Sequence, residues 1–240
     1  MRIVKKYGMT EIELKQAYAG DIVSIAGFQN STVGNIINEV GKSYTIESIP
    51  IDPPMLSLTM TLNDSPLKGL DGDKLTVAQI RERVIKESQD DVSLKVEQGG
   101  QKSEFVTIHG RGDLHLGVLL ERMRREGFEM SVTPPQVLTK TCPETGKMLE
   151  PFEEVIIDTD LEYVSGIIDK LNDRKGVLMD IVEQKDGRQL MTLKVPTRGM
   201  LGFRNALTTD TRGTAQLSSQ YLAHEEHVGD IKKNNKGAII

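Results

Sequence analysis

His109–Gly117 reads HGRGDLHLG, and the quartet inside it, Arg111-Gly112-Asp113-Leu114, returns later as Arg198-Gly199-Met200-Leu201. Taken alone, the stretch offers an adhesion tripeptide, a broken dinucleotide loop and a pair of histidines. The dinucleotide reading fails because His115 occupies the position of the third glycine, and because the surrounding pattern is that of an antiparallel unit and not a Rossmann crossover. As a metal site it lacks a third ligand beside His109 and His115. A strand-to-helix turn accounts for most of it. Gly110 and Gly112 let the chain change direction, Asp113 caps the helix, and Leu114 and Leu116 point inward.

The sequence around each quartet completes a strand-helix-strand-strand-helix-strand unit. In the first, MLSLTMTL alternates apolar Leu56, Leu58, Met60 and Leu62 with polar residues, as a half-buried strand does. Thr76 and Gln79 form a capping box for a helix with Val77, Ile80 and Val84 on one face. VSLKV and EFVTI flank a Gly99-Gly100 hairpin. A second helix carries Leu116, Leu119, Leu120 and Met123 and ends at Gly127, FEMSV closes the unit, and Pro134-Pro135 stops it. In the second unit FEEVIID leads to a helix defined by Val164, Ile167, Ile168 and Leu171. VLMDIV and LMTLKV pair across Asp186-Gly187, MLGFRNAL is a short helix, and GTAQLSSQY is the last strand. The expected fold class is α+β: two ferredoxin-like (βαββαβ) domains, each with two helices on one face of an antiparallel sheet. Ahead of them, EIELKQAYAGDIVSIAGF and NSTVGNII look like pieces of a partial β-barrel. The expected boundaries are 1–52 for the barrel segment, 53–134 and 135–223 for the two domains, and 224–240 for a linker and the start of a further domain.

Composition narrows the setting. The chain has 240 residues, 38% hydrophobic and 27% charged, with a net charge of -5, which is ordinary globular composition. No apolar run reaches the roughly 18 residues of a membrane span. MRIVKKYGMTEIELK has no apolar core of a secretory signal. A single cysteine, Cys142, allows no internal disulfide framework. The expected compartment is therefore the cytoplasm, which removes the adhesion reading of Arg111-Gly112-Asp113.

Two other motifs are lures. Val40-Gly41-Lys42-Ser43 ends like a Walker A loop, but its first glycine position is Ile36. HEEHVGD, from His224 to Asp230, lacks the four-residue spacing of a helical zinc motif and reads as a solvated linker. No catalytic residue and no metal site is expected, nor a cofactor for this stretch. The arginines are more informative. The window from Gly187 to Gln220 holds Arg188, Lys194, Arg198, Arg204 and Arg212 against one acid, Asp210, despite the acidic net charge. Arg111, Arg174, Lys175, Arg198, Arg204 and Arg212 fall at helix ends and turns. Guanidinium groups beside a helix N-terminus suit a phosphate backbone. Aromatic residues are sparse, which favours structured RNA over stacked single strands.

These motifs carry a resemblance. GRGDLHLGVLLERMRREGFEMSVTPPQV resembles the G-x-G-E-L-H-L segment of translational GTPases related to elongation factor G, and VPTRGMLGFRNALTTDTRGTA looks most like the BipA/TypA family among them. LEPFEEVIIDTDLEYVSGIIDKLNDRKGVLMDI is similar to the elongation factor G domain that begins L-E-P. The resemblance runs from about Glu11 to Tyr221. Asp113 stands where the family has glutamate, and HEEH where aromatic residues are expected. The resemblance implies a portion of a translational GTPase without its GTPase domain, acting in translation regulation or large-subunit assembly under stress. Its implied partners are the ribosome and rRNA, with tRNA and ribosomal proteins beside them. GTP and Mg belong to the intact protein, and this stretch is not expected to hydrolyse GTP. The competing reading is a pair of ferredoxin-like regulatory domains that bind a small molecule between their sheets.

Overall fold

The alternation of Leu56, Leu58 and Met60 does build a strand, β4 (Leu56–Leu62), with those three side chains buried. The computed structural model describes residues 2–28, 33–46, 51–97 and 104–231. The Gly99-Gly100 hairpin expected from the sequence, and residues 232–240 of the expected 224–240 linker, lie outside the described residues.

Strand β4 leads to helix α1 (Val77–Asp90), strands β5 (Lys95–Glu97) and β6 (Phe105–Gly110), helix α2 (Asp113–Arg125) and strand β7 (Met130–Val132). The sheet order is β5-β6-β4-β7 with antiparallel neighbours, the arrangement of a ferredoxin-like fold. The capping box at α1 is formed. The Thr76 N–H donates to Gln79 Oε1 at 3.2 Å, and the Gln79 N–H donates to Thr76 Oγ1 at 3.4 Å. Ile80 and Val84 from α1 and Leu116, Leu119 and Met123 from α2 cover the sheet and bury its inner face.

The proline pair does not end this sheet. Strand β8 (Gln136–Val137) follows it and pairs with β4, Leu56 facing Val137, while β7 pairs with the other end of β4. Together β7 and β8 make one broken edge strand. Pro134 and Pro135 sit in the gap because they have no N–H to give the ladder.

The second unit begins with strand β9 (Lys140–Thr141) hairpinned onto the long strand β10 (Met148–Thr159). Helix α3 (Leu161–Asp173), strands β11 (Val177–Glu183) and β12 (Gln189–Pro196), helices α4 (Thr197–Met200) and α5 (Phe203–Asp210) and strand β13 (Gln216–Glu226) follow. The order β11-β12-β10-β13 repeats the ferredoxin-like arrangement. Its core is Val155, Ile157, Met191, Leu193 and Val195 under Ile167, Leu171, Phe203 and Leu207. The expected single helix MLGFRNAL is two pieces, because Gly202 takes a left-handed conformation with φ 71° between them. Strand β13 runs to Glu226, so the HEEH stretch is strand and not a solvated linker. Glu225 pairs with Lys194, and the Tyr221 hydroxyl lies 2.7 Å from His224 Nδ1.

The N-terminal segment is a small antiparallel sheet of its own. Strands β1 (Arg2–Tyr7), β2 (Thr10–Leu14) and β3 (Ser24–Ala26) stand in the order β2-β1-β3. The expected continuation into NSTVGNII is not seen over 33–37, which form no strand, and 29–32 lie outside the described residues.

Candidate functional site

Helix α4, the second Arg-Gly-x-Leu turn, is wedged between the two ferredoxin-like sheets. Leu201 packs against the core of the first unit, and Met200 against the core of the second. Thr197 Oγ1 lies 3.6 Å from Met55 Sδ. The turn is held from behind. Arg174 Nη1 donates to the carbonyls of Gly199 at 2.8 Å and Leu201 at 3.1 Å, and the Arg174 guanidinium lies over the Phe203 ring. Arg198 donates through Nε and Nη2 to Glu150, which is 1% exposed and also accepts the Val228 N–H at 3.1 Å. A buried carboxylate needs such partners, and one basic side chain plus a backbone donor provide them.

In front of α4 the two quartets meet. Arg111, Gly112, Asp113 and Leu114 share with Thr197, Met200, Leu201 and Arg204 a cleft of about 360 Å³. Its floor includes Glu153, which is 7% exposed. Burial pushes the Glu153 carboxyl above its ordinary value, the hydroxyls of Ser219 and Thr197 oppose that rise, and nearby Asp113 adds to it. Among the described residues no ion pair includes Glu153.

The six basic residues expected to face RNA fall into three settings. Arg111 and Arg204 line the cleft and are exposed, Arg111 paired with Asp52 and Arg204 donating to the Leu217 carbonyl at 3.2 Å. Arg174 and Arg198 also come together, but with their polar ends turned to backbone carbonyls and Glu150. Lys175 and Arg212 are exposed in left-handed turns, with φ 67° and 53°. Lys175 follows the C-terminal end of α3, and Arg212 follows the C-terminal end of α5.

The turn glycines also divide. A Cβ on Gly199 would stand 2.7 Å from the Arg174 carbonyl oxygen, and one on Gly110 would stand 2.7 Å from Leu116 Cδ2. Both positions need glycine for close packing. Gly112 does not: its φ of -169° is ordinary extended backbone, and nothing lies within 4 Å of an added Cβ. Gly112 is itself the N-cap, so Asp113 is the first helical residue; it favours the positive end of the helix, and its Oδ1 accepts the Leu114 N–H at 2.8 Å. Leu114 points outward at 77% exposure, against expectation, while Leu116 is buried.

Sequence reading missed Glu150 and Glu153. The available signal was two acids set in an otherwise apolar strand, LEPFEEVII. Among the described residues no cluster of His, Cys, Asp and Glu could hold a metal, and no helix is long and apolar enough to cross a membrane. The Val40–Ser43 stretch does not fit a nucleotide phosphate either: Lys42 is paired with Glu39 at 2.6 Å, and no helix follows over 44–46.

Residues 147–235, which hold the second ferredoxin-like unit and begin near L-E-P, match the family model described as elongation factor G C-terminus. The chain is also similar, over almost its whole length, to curated proteins called large ribosomal subunit assembly factor BipA. It is 36% identical to that of Synechocystis sp. over 233 residues, covering 97% of this chain and 38% of the relative. With the Haemophilus influenzae protein it is 35% identical over 240 residues, covering 100% and 38%. With the Bacillus subtilis protein it is 32% identical over 234 residues, covering 97% and 38%. Over the stretch it spans, the chain is similar to these BipA proteins at 32–36% identity, and that stretch is about 38% of their length.

Proposed function

We propose that this chain is the ribosome-binding portion of a translational GTPase of the BipA/TypA type, which acts in translation regulation or large ribosomal subunit assembly under stress. The observation that carries the reading is the match, from end to end of the chain, to proteins named large ribosomal subunit assembly factors. The ligand is rRNA backbone, met first by Arg111 and Arg204, with Lys175 and Arg212 as outlying cations. Ribosomal proteins and tRNA bordering that RNA are the further partners, and the setting is the cytoplasm. GTP hydrolysis and its Mg ion belong to another part of the full-length protein. Nothing in this stretch is assigned a catalytic step.

Guanidinium groups at a cleft mouth bind phosphate through paired N–H donors, and each contact displaces condensed counterions. Binding must therefore weaken steeply as salt rises. Co-sedimentation of the 240-residue chain with large ribosomal subunits, between low and moderate salt, tests the reading. Pelleting that falls with salt supports it, and no pelleting at low salt refutes it for this chain.

A further inference from the structure

The cleft between the two quartets has a feature that backbone contact does not use. Glu153 is a buried residue on its floor, with hydroxyls of Ser219 and Thr197 for partners, the Arg204 charge nearby and, among the described residues, no ion pair. Burying an acid in this way is costly unless donors arrive from elsewhere. Met55, Leu56, Met200 and Leu201 give the same cleft apolar walls, and methionine sulfur packs well against aromatic rings. Its mouth carries Arg111 and Arg204. Each guanidinium has five N–H donors, so the bonds to Asp52 and to the Leu217 carbonyl leave others to offer. A cleft of about 360 Å³ falls within the range of small-ligand sites.

Apolar walls for a flat ring, together with a buried carboxyl and two guanidinium groups lining the same cleft, suit a nucleotide. We propose that the cleft takes one unpaired nucleotide of RNA, its base against Glu153 and its phosphate at Arg111 and Arg204, and that the base is guanine. Guanine alone among the four bases presents two adjacent N–H donors on its pairing edge, and a carboxylate accepts both at once. Adenine presents one donor there, so it makes one of the two bonds. The site rests on the RNA-facing reading above and names the group that reading leaves open.

Methyl NMR of the methionines in the intact chain tests this, because Met55 and Met200 line the cleft whereas Met148 and Met179 are exposed elsewhere. Three probes are added in turn: GMP, AMP and a short RNA hairpin with one unpaired guanosine. GMP and the hairpin are expected to shift Met55 and Met200 selectively, with AMP about tenfold weaker. Glu153→Gln is expected to erase the preference for GMP while the spectrum stays folded. If that variant does not fold, IMP in place of GMP carries the same test on the unchanged chain, since it lacks the 2-amino donor and is expected to bind about tenfold more weakly. Unshifted Met55 and Met200, or equal shifts with GMP and AMP, would overturn the proposal. GMP binding without hairpin binding would overturn the RNA occupant and leave a free nucleotide as the ligand. Salt-sensitive pelleting with ribosomes alongside unshifted cleft methionines would sink this inference and spare the reading it rests on.

Discussion

The two Arg-Gly-x-Leu turns share a sequence and a place in their folds, yet every shared residue has a different job. Arg111 reaches an exposed Asp52 at the cleft mouth, whereas Arg198 reaches a Glu150 that is 1% exposed. Gly199 is squeezed against a backbone carbonyl, and Gly112 faces open space. Leu201 packs on the neighbouring unit's core, while Leu114 is 77% exposed. One turn lies on the outside of its unit and the other is the joint between units. Burial, and not the motif, sets what each residue contributes.

That contrast gives expected outcomes in pairs. The arginines should differ most. Arg198→Ala strands the buried Glu150 carboxylate with a backbone donor and is expected to cost about 3–5 kcal/mol in denaturant unfolding. Arg111→Ala removes a surface pair and should cost ~1 kcal/mol or less. Similar losses for both would erase the distinction between joint and rim. Glycines come next. Gly199→Ala forces Cβ against the Arg174 carbonyl and should cost about 1–3 kcal/mol, while Gly112→Ser, at an N-cap with space around it, should stay within about 0.5 kcal/mol of the parent. For the leucines, Leu201→Ala is expected to cost about 1–2 kcal/mol and Leu114→Ala about 0.5 kcal/mol or less, by the same unfolding measurement.

A fourth pairing concerns acids. Glu150 is held by an arginine, but Glu129 in the first unit is held by backbone. The N–H groups of Gly69, Asp71 and Gly72 donate to it at 2.8 to 2.9 Å and lower its carboxyl from 4.5 to about 2, with Asn63 adding a side-chain bond. A depressed carboxyl contributes stability above its ordinary value and loses it as pH falls toward the folded one. The Tm advantage of the parent over Glu129→Gln should therefore be full at pH 6 and shrink between about pH 4.5 and pH 2. A gap that stays constant across that window would show that the loop from 63 to 72 does not depend on the charge.

Both sheets were legible because strand alternation and helical spacing are local signals. Leu56, Leu58 and Met60, the Thr76-Gln79 box and the Ile167-Leu171 face all read correctly from neighbours a few residues apart. The cleft itself was not legible, although two of the cations singled out at turns, Arg111 and Arg204, do line it. What could not be read were partners far along the chain. Glu150 is 48 residues from Arg198, and the Gly199 and Leu201 carbonyls are 25 and 27 residues from Arg174. A basic side chain looks the same in sequence whether its partner is solvent, phosphate or a buried acid. Strand β8 was missed for a related reason. Pro134 and Pro135 forbid ladder bonds locally, but they do not stop the chain from rejoining the sheet two residues later.

The central claim is that the outward arginines of the cleft, and not the inward pair, meet RNA. Binding of the Arg111→Ala, Arg204→Ala double variant to large ribosomal subunits, measured against salt beside the parent chain, addresses it most directly. Losing two phosphate contacts should weaken binding and flatten the slope of log affinity against log salt by about 2, with the fold intact. An unchanged slope in a folded double variant would contradict the account.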